Sequence, residues 1–88
     1  CYAFNEIAPQ APVHFLVIPK AHIASVAGVN EENSAVVAHI FEVIAKLTKE
    51  KGLDSYRVVS NIGEQAGQSV PHLHFHVLAG RDMTWPPG

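Results

Sequence analysis

The chain has 88 residues, 48% of them apolar, and six Lys and Arg against eight Asp and Glu leave a net charge of −2. That length allows one domain with a modest core, and the absence of any basic run excludes the electrostatic footprint of a nucleic-acid-binding protein. The single cysteine, Cys1, can form neither an internal disulfide nor a cysteine-rich zinc site, and no apolar run reaches spanning length, so a cytoplasmic protein without a membrane partner is expected.

Tyr2 to Ile7 reads as a short strand, ended by the turn signals Pro9 and Pro12. Val13 to Ile18 is a second strand, with Val13, Phe15 and Val17 on one face and His14, Leu16 and Ile18 on the other. Both faces are mostly apolar, so this strand is expected to be covered on both sides until Pro19 stops it. Ala21 to Asn30 is mixed, punctuated by Ser25 and Gly28, with room for one helical turn. Asn30 is expected to cap a helix whose positive end suits Glu31 and Glu32. Val36, Val37, Ile40, Phe41, Ile44 and Leu47 then recur at helical spacing as one apolar stripe, and Gly52 supplies the stop.

Tyr56 to Ile62, with Val58, Val59 and Ile62, reads as a third strand. A polar loop follows over 63–69, and a fourth strand runs from Val70 or His72 to Ala79, where Gly80 breaks it before an extended tail. The order β-β-α-β-β predicts an α+β domain, an antiparallel sheet with one main helix packed on a face. So apolar a small chain cannot hide all its hydrophobic surface, which predicts a homodimer formed through a strand edge or helix face.

The most informative stretch is His72-Leu73-His74-Phe75-His76-Val77, preceded by Gly67-Gln68-Ser69-Val70-Pro71. On an extended chain the three imidazoles share one face about 6.6–7 Å apart, close enough to surround a phosphate-sized group, while Leu73, Phe75 and Val77 share the other. Three readings compete. A merely solvated face would favour Thr, Lys and Glu over histidine. A zinc site is compatible with His-x-His on a strand, with His14 as a third ligand. A nucleophilic or acid-base role is favoured by the preceding loop, where Gly67 admits close backbone approach, the amides of Gln68, Ser69 and Val70 can converge on an anion, and Ser69 adds a hydroxyl.

The segment 67–76 resembles the signature of the histidine triad (HIT) superfamily. Trp85-Pro86-Pro87-Gly88 and the run from Ile7 to Lys20 are similar to its Hint branch, the purine nucleoside phosphoramidases. The resemblance implies hydrolysis of the P–N bond in AMP or GMP phosphoramidates, such as AMP–lysine. In it His74 attacks phosphorus to form a nucleotidyl-histidine, which water then resolves, and no metal or other cofactor is required. It implies that His72 orients the site with His14, that His76 contacts phosphate oxygens, and that Ser69 protonates the leaving nitrogen. Gln68 and Asn61 match phosphate-side contacts. Phe4 and Ile7 match residues that sandwich the base, though from the residues alone both read as core. Glu6 stands where the family has an Asp that grips the ribose hydroxyls. Trp85 lies in a tail that acts across the dimer interface in relatives.

The same resemblance implies a single HIT domain over 1–88, lacking an N-terminal helix and strand that precede Cys1 in relatives. Some relatives bind a structural zinc in that segment. Three rivals stand beside the phosphoramidase reading: a Fhit-like dinucleoside polyphosphate hydrolase, a non-catalytic purine nucleotide-binding regulatory protein, and a zinc-dependent hydrolase. His22, in a loop, and His39, on the flank of the helical stripe, read as surface residues.

Overall fold

The computed structural model describes residues 1–87. Strand β1 (Tyr2–Asn5) pairs antiparallel with β2 (Val13–Ile18), and the chain then passes through a 3-10 turn at Val26–Gly28 into helix α1 (Ser34–Glu50). Strands β3 (Arg57–Val59) and β4 (Phe75–Ala79) complete a four-stranded sheet of order β1-β2-β4-β3, antiparallel throughout. The expected antiparallel sheet with one main helix is therefore the observed architecture.

The sheet has two unlike faces. Phe15, Val17, Phe75 and Val77 point to one side and pack with Leu73, Ile23, Ile40 and Ile44 into a single buried cluster beneath α1. Burying such side chains contributes roughly 1.5–3 kcal/mol each, so this layer holds the sheet to the helix. On the other face no second layer covers the strands among the described residues. Leu16 and Ile18 are only half-buried and line a cavity there, so the expectation that β2 is covered on both sides is corrected. Its second apolar face serves a pocket.

Helix α1 starts later than the sequence suggests. Asn30 Oδ1 accepts from the amides of Glu32 and Asn33 while Asn33 Oδ1 accepts from the Asn30 amide, a reciprocal turn that occupies 30–33 and leaves Glu31 and Glu32 ahead of the helix. Asparagine competes for nearby backbone amides in this way, which delays the helix to Ser34. The stripe behaves as expected at Ile40 and Ile44, and it gains Thr48, which is buried because its hydroxyl donates back to the carbonyls of Ile44 and Ala45. Phe41 is instead half-exposed at the edge, in edge-to-face contact with Phe75. At the C-terminus Leu53 N donates to Thr48 O and Gly52 N to Lys49 O, a Schellman cap that requires the positive φ of 70° at Gly52.

The last two strands are shorter than expected, for one shared reason. Ladder pairing of β3 with β4 ends at Val59 and His76, because residues 72–74 swing away and Leu73 N donates to Ile23 O instead. Residues 60–62 therefore have no strand to pair with, and 72–74 lie outside the ladder, with a bend at His72 whose amide donates to Val70 O. Strand β1 likewise stops at Asn5, one further ladder bond running from Glu6 N to His14 O. Among the described residues no helix is long and apolar enough to cross a membrane.

Candidate active site

Strand register builds the site on the uncovered face. Phe4 pairs with Leu16, Leu16 with His76 and His76 with Val59, which makes one row across all four strands. Beside it, His14 pairs with Leu78 and Leu78 with Arg57, and Glu6 lies next to His14 through its backbone bond. Cross-strand partners share a face, so both rows point away from α1. The i, i+2 phase then carries His74 and His72 to that side, while Leu73 is fully buried on the other.

A cavity of about 580 Å³ lies over these rows, within the range of small-molecule sites. Its apolar end is Phe4, Ile7, Leu16 and Ile18, and its polar end is His72, His74, His76, Ser69 and Asn61, with Gly67 and Val70 on the loop side. Ile7 is 98% exposed and Phe4 48%, so neither is core, which corrects the reading from residue type alone. They form the cavity wall.

Each histidine is fixed by a different partner. His74 Nδ1 lies 2.8 Å from His72 O, and a carbonyl can only accept, so Nδ1 carries the proton and the Nε2 lone pair of the neutral ring is free. The backbone of His74 is itself held where no ladder reaches it, since Ser60 Oγ donates to His74 O at 2.8 Å. His72 Nε2 donates to Pro19 O at 3.1 Å, and its ring lies 5.4 Å from that of His22. His14 is buried: Gln10 N donates to its Nδ1 at 3.1 Å, which leaves Nε2–H to donate to His76 Nδ1 at 2.9 Å. His14 thus orients His76, whereas His72, expected to orient the site with His14, is bonded to Pro19 O. Burial, followed by the neighbouring rings of His74 and His14, lowers the His76 pKa below its ordinary 6.5, while the Glu6 carboxylate opposes this. A neutral His76 is what the bond from His14 needs.

The loop is braced by the residue expected to touch the anion. Gln68 Oε1 accepts from Gly63 N, its Nε2 donates to Ala24 O and Val70 O, and its own amide donates to Gly63 O. Gln68 is fully engaged in shaping the turn, which corrects its role as a direct phosphate contact. Gly67, at φ 100°, makes the reversal after which Ser69 and Val70 line the same cavity as His72 and His74. Trp85 is 83% exposed and lines neither this cavity nor the one adjoining it.

Glu6, His14 and His76 place three potential ligand atoms within 4.8 Å of one another. A tetrahedral cation would need His14 Nε2 or His76 Nδ1 to leave their mutual bond, or His14 Nδ1 to leave Gln10, so the donor set fits hydrogen bonding better than a metal. Sequence reasoning missed Ser60, the Gln10 amide, Leu16 and Ile18. The first two act through single hydrogen bonds that carry no motif, whereas the i, i+2 spacing of Leu16 and Ile18 from His14 was a usable signal.

Three comparisons bear on this geometry. The family model described as HIT domain matches residues 1–83. An uncharacterised HIT-like protein of Synechococcus elongatus is 46% identical over all of this chain and 78% of its own length. A HIT family hydrolase of Legionella pneumophila superposes with a TM-score of 0.93 at 49% identity, covering 98% of this chain and 79% of that one. A histidine triad nucleotide-binding protein of Candida albicans does so at 0.77 and 34% identity, over 99% and 68%.

Proposed function

The chain belongs to the HIT domain family, and from that premise we propose that it is a nucleotide-binding hydrolase that cleaves the P–N bond of purine nucleoside 5′-monophosphoramidates. The observation that carries this reading is His74, whose Nδ1–H is held by the His72 carbonyl and whose Nε2 is left as a nucleophile in a cavity with one apolar and one polar end. Relatives described as a hydrolase and as a nucleotide-binding protein support its coarser form.

In this mechanism the base of AMP or GMP lies between Phe4 and Ile7, against Leu16 and Ile18, and Glu6 serves the ribose. His76 Nε2–H and the Ser69–Val70 side of the loop face the phosphate oxygens. The His74 Nε2 lone pair forms a bond to phosphorus as the P–N bond breaks, and the departing nitrogen takes a proton from the Ser69 hydroxyl, which solvent restores. Water then adds to phosphorus and releases His74, a nucleoside monophosphate and one proton. Splitting one displacement into two lowers each barrier. The same reading includes a single domain over 1–88, and pairing with a second copy through a strand edge or the half-exposed Phe41 side of α1; Trp85 would act across that interface.

The deciding experiment is rapid quench with an adenosine 5′-phosphoramidate, followed by mass spectrometry of the peptide bearing His74. A nucleotide adduct on that peptide is expected, and turnover without any adduct would overturn the mechanism. Faster turnover of a diadenosine polyphosphate than of the phosphoramidate would favour the Fhit-like alternative. Nucleotide binding without turnover of either would favour a regulatory binding protein, and activity abolished by a chelator a zinc-dependent hydrolase.

A further inference from the structure

A second cavity, of about 480 Å³, opens on the same sheet face. It shares His76 and Asn61 with the nucleoside cavity and extends in the opposite direction, past Leu78 and Met83 to Arg57 and Arg81. A group bound at phosphorus beside His76 therefore has the apolar Phe4–Ile7 end on one side and this cavity on the other. Register explains why Arg57 is there, since it ends the row that runs from His14 through Leu78.

The second cavity is cationic. Among the described residues that line it, two are arginines and none is acidic. Arg57 Nη2 donates to Thr84 O at 3.0 Å, and Arg81 donates through Nε to Gln10 O at 2.9 Å and through Nη1 to Asp82 O at 3.2 Å. These bonds hold the guanidiniums in place while leaving each with further N–H donors, because the fork has five. Asp82 lines a neighbouring cleft that both arginines also line, and it does not line this cavity.

We propose that this cavity receives the leaving group, and that the natural leaving amine carries an anionic substituent, a carboxylate or a phosphate-like group, held by Arg57 and Arg81. The inference rests on the phosphoramidase reading and deepens it by naming the substrate class. As the bond from His74 to phosphorus forms and the P–N bond breaks, the protonated amine departs through the arginine-lined cavity with its anion still paired. Planar guanidiniums suit this role, since they bind carboxylate and phosphate oxygens through parallel N–H donors.

The test compares kcat/KM for three adenosine 5′-phosphoramidates whose amines differ only at the far end: a carboxylate, a phosphonate and a neutral carboxamide. An anionic amine is expected to be favoured over the carboxamide by about tenfold or more, the gain of a charge-assisted hydrogen bond. The larger of the two anionic preferences identifies the anion. In Arg57→Gln that ratio is expected to fall toward one, a readout that compares substrates within one variant and so is insensitive to partial loss of folded protein. Equal turnover of all three by the unaltered protein overturns the inference while leaving the phosphoramidase reading intact. An unchanged ratio in both Arg57→Gln and Arg81→Gln overturns the assignment to these residues. Turnover of none of the three sinks the parent reading and this one with it.

Discussion

His14 Nε2 and His76 Nδ1 lie 2.9 Å apart although 62 positions separate them in the chain. The bond works in one direction only. Gln10 N–H fills the other His14 nitrogen, so His14 must donate, and His76 must remain unprotonated at Nδ1 to accept. The tautomer chain leaves the proton on Nε2 of His76, whose ring lines the cavity.

A pH dependence follows from this chain. The folded state binds a proton at His76 less readily than the unfolded chain does, so stability is at its full value above about pH 6.5 and declines as pH falls below it. Denaturant midpoints measured across pH 5 to 8 are expected to fall on the acid side. In His14→Ala a neighbouring imidazole and part of the burial are lost, both of which had lowered the His76 pKa. The acid limb of kcat/KM is then expected to move to higher pH, with kcat/KM at pH 7.5 reduced by about tenfold for the missing hydrogen bond. An acid limb at its original position would contradict the relay.

His74→Ala removes the nucleophile and nothing that closes the apolar end of the cavity. P–N hydrolysis is expected to drop by about a thousandfold or more, while binding of AMP, followed by calorimetry, is retained. Loss of both together would mean that His74 serves binding, not bond cleavage.

Ser60 lines neither of the two cavities that meet at His76, yet its hydroxyl donates to the His74 carbonyl. Ser60→Ala is expected to cost about 1–2 kcal/mol in urea unfolding and to lower kcat while leaving KM for the phosphoramidate little changed. A rise in KM with kcat intact would assign Ser60 to substrate binding instead.

Ile40 is fully buried at the centre of the layer between α1 and the sheet. Ile40→Ala is expected to destabilise the protein by about 2–5 kcal/mol, read as a lowered denaturant midpoint at unchanged slope. A loss under 1 kcal/mol would mean that the helix is held mainly by something other than this cluster.

Much of the architecture was legible because local periodicity reports it. The strand Val13–Ile18 has the bounds its alternation predicts, and the helix ends at the glycine that its stripe implies. The triad face was legible for the same reason, since an i, i+2 phase survives even where His72 and His74 leave the ladder. The helix start was misread because Asn30 and Asn33 bond to each other's backbone, a pairwise choice that single-residue capping preferences do not register.

Sequence alone determined the periods: which residues face together, where turns interrupt them, and which segment brings imidazoles to one side beside a glycine-bearing loop. Only the tertiary structure decided the partners. It gave His14 to His76, assigned Gln68 to the loop, left Phe4 and Ile7 open on a cavity wall, and brought Arg57 and Arg81 together in the adjoining cavity. The physical reason is that alternation is a property of consecutive backbone dihedrals, whereas these contacts depend on register between strands distant in the chain and on which sheet face the helix leaves uncovered.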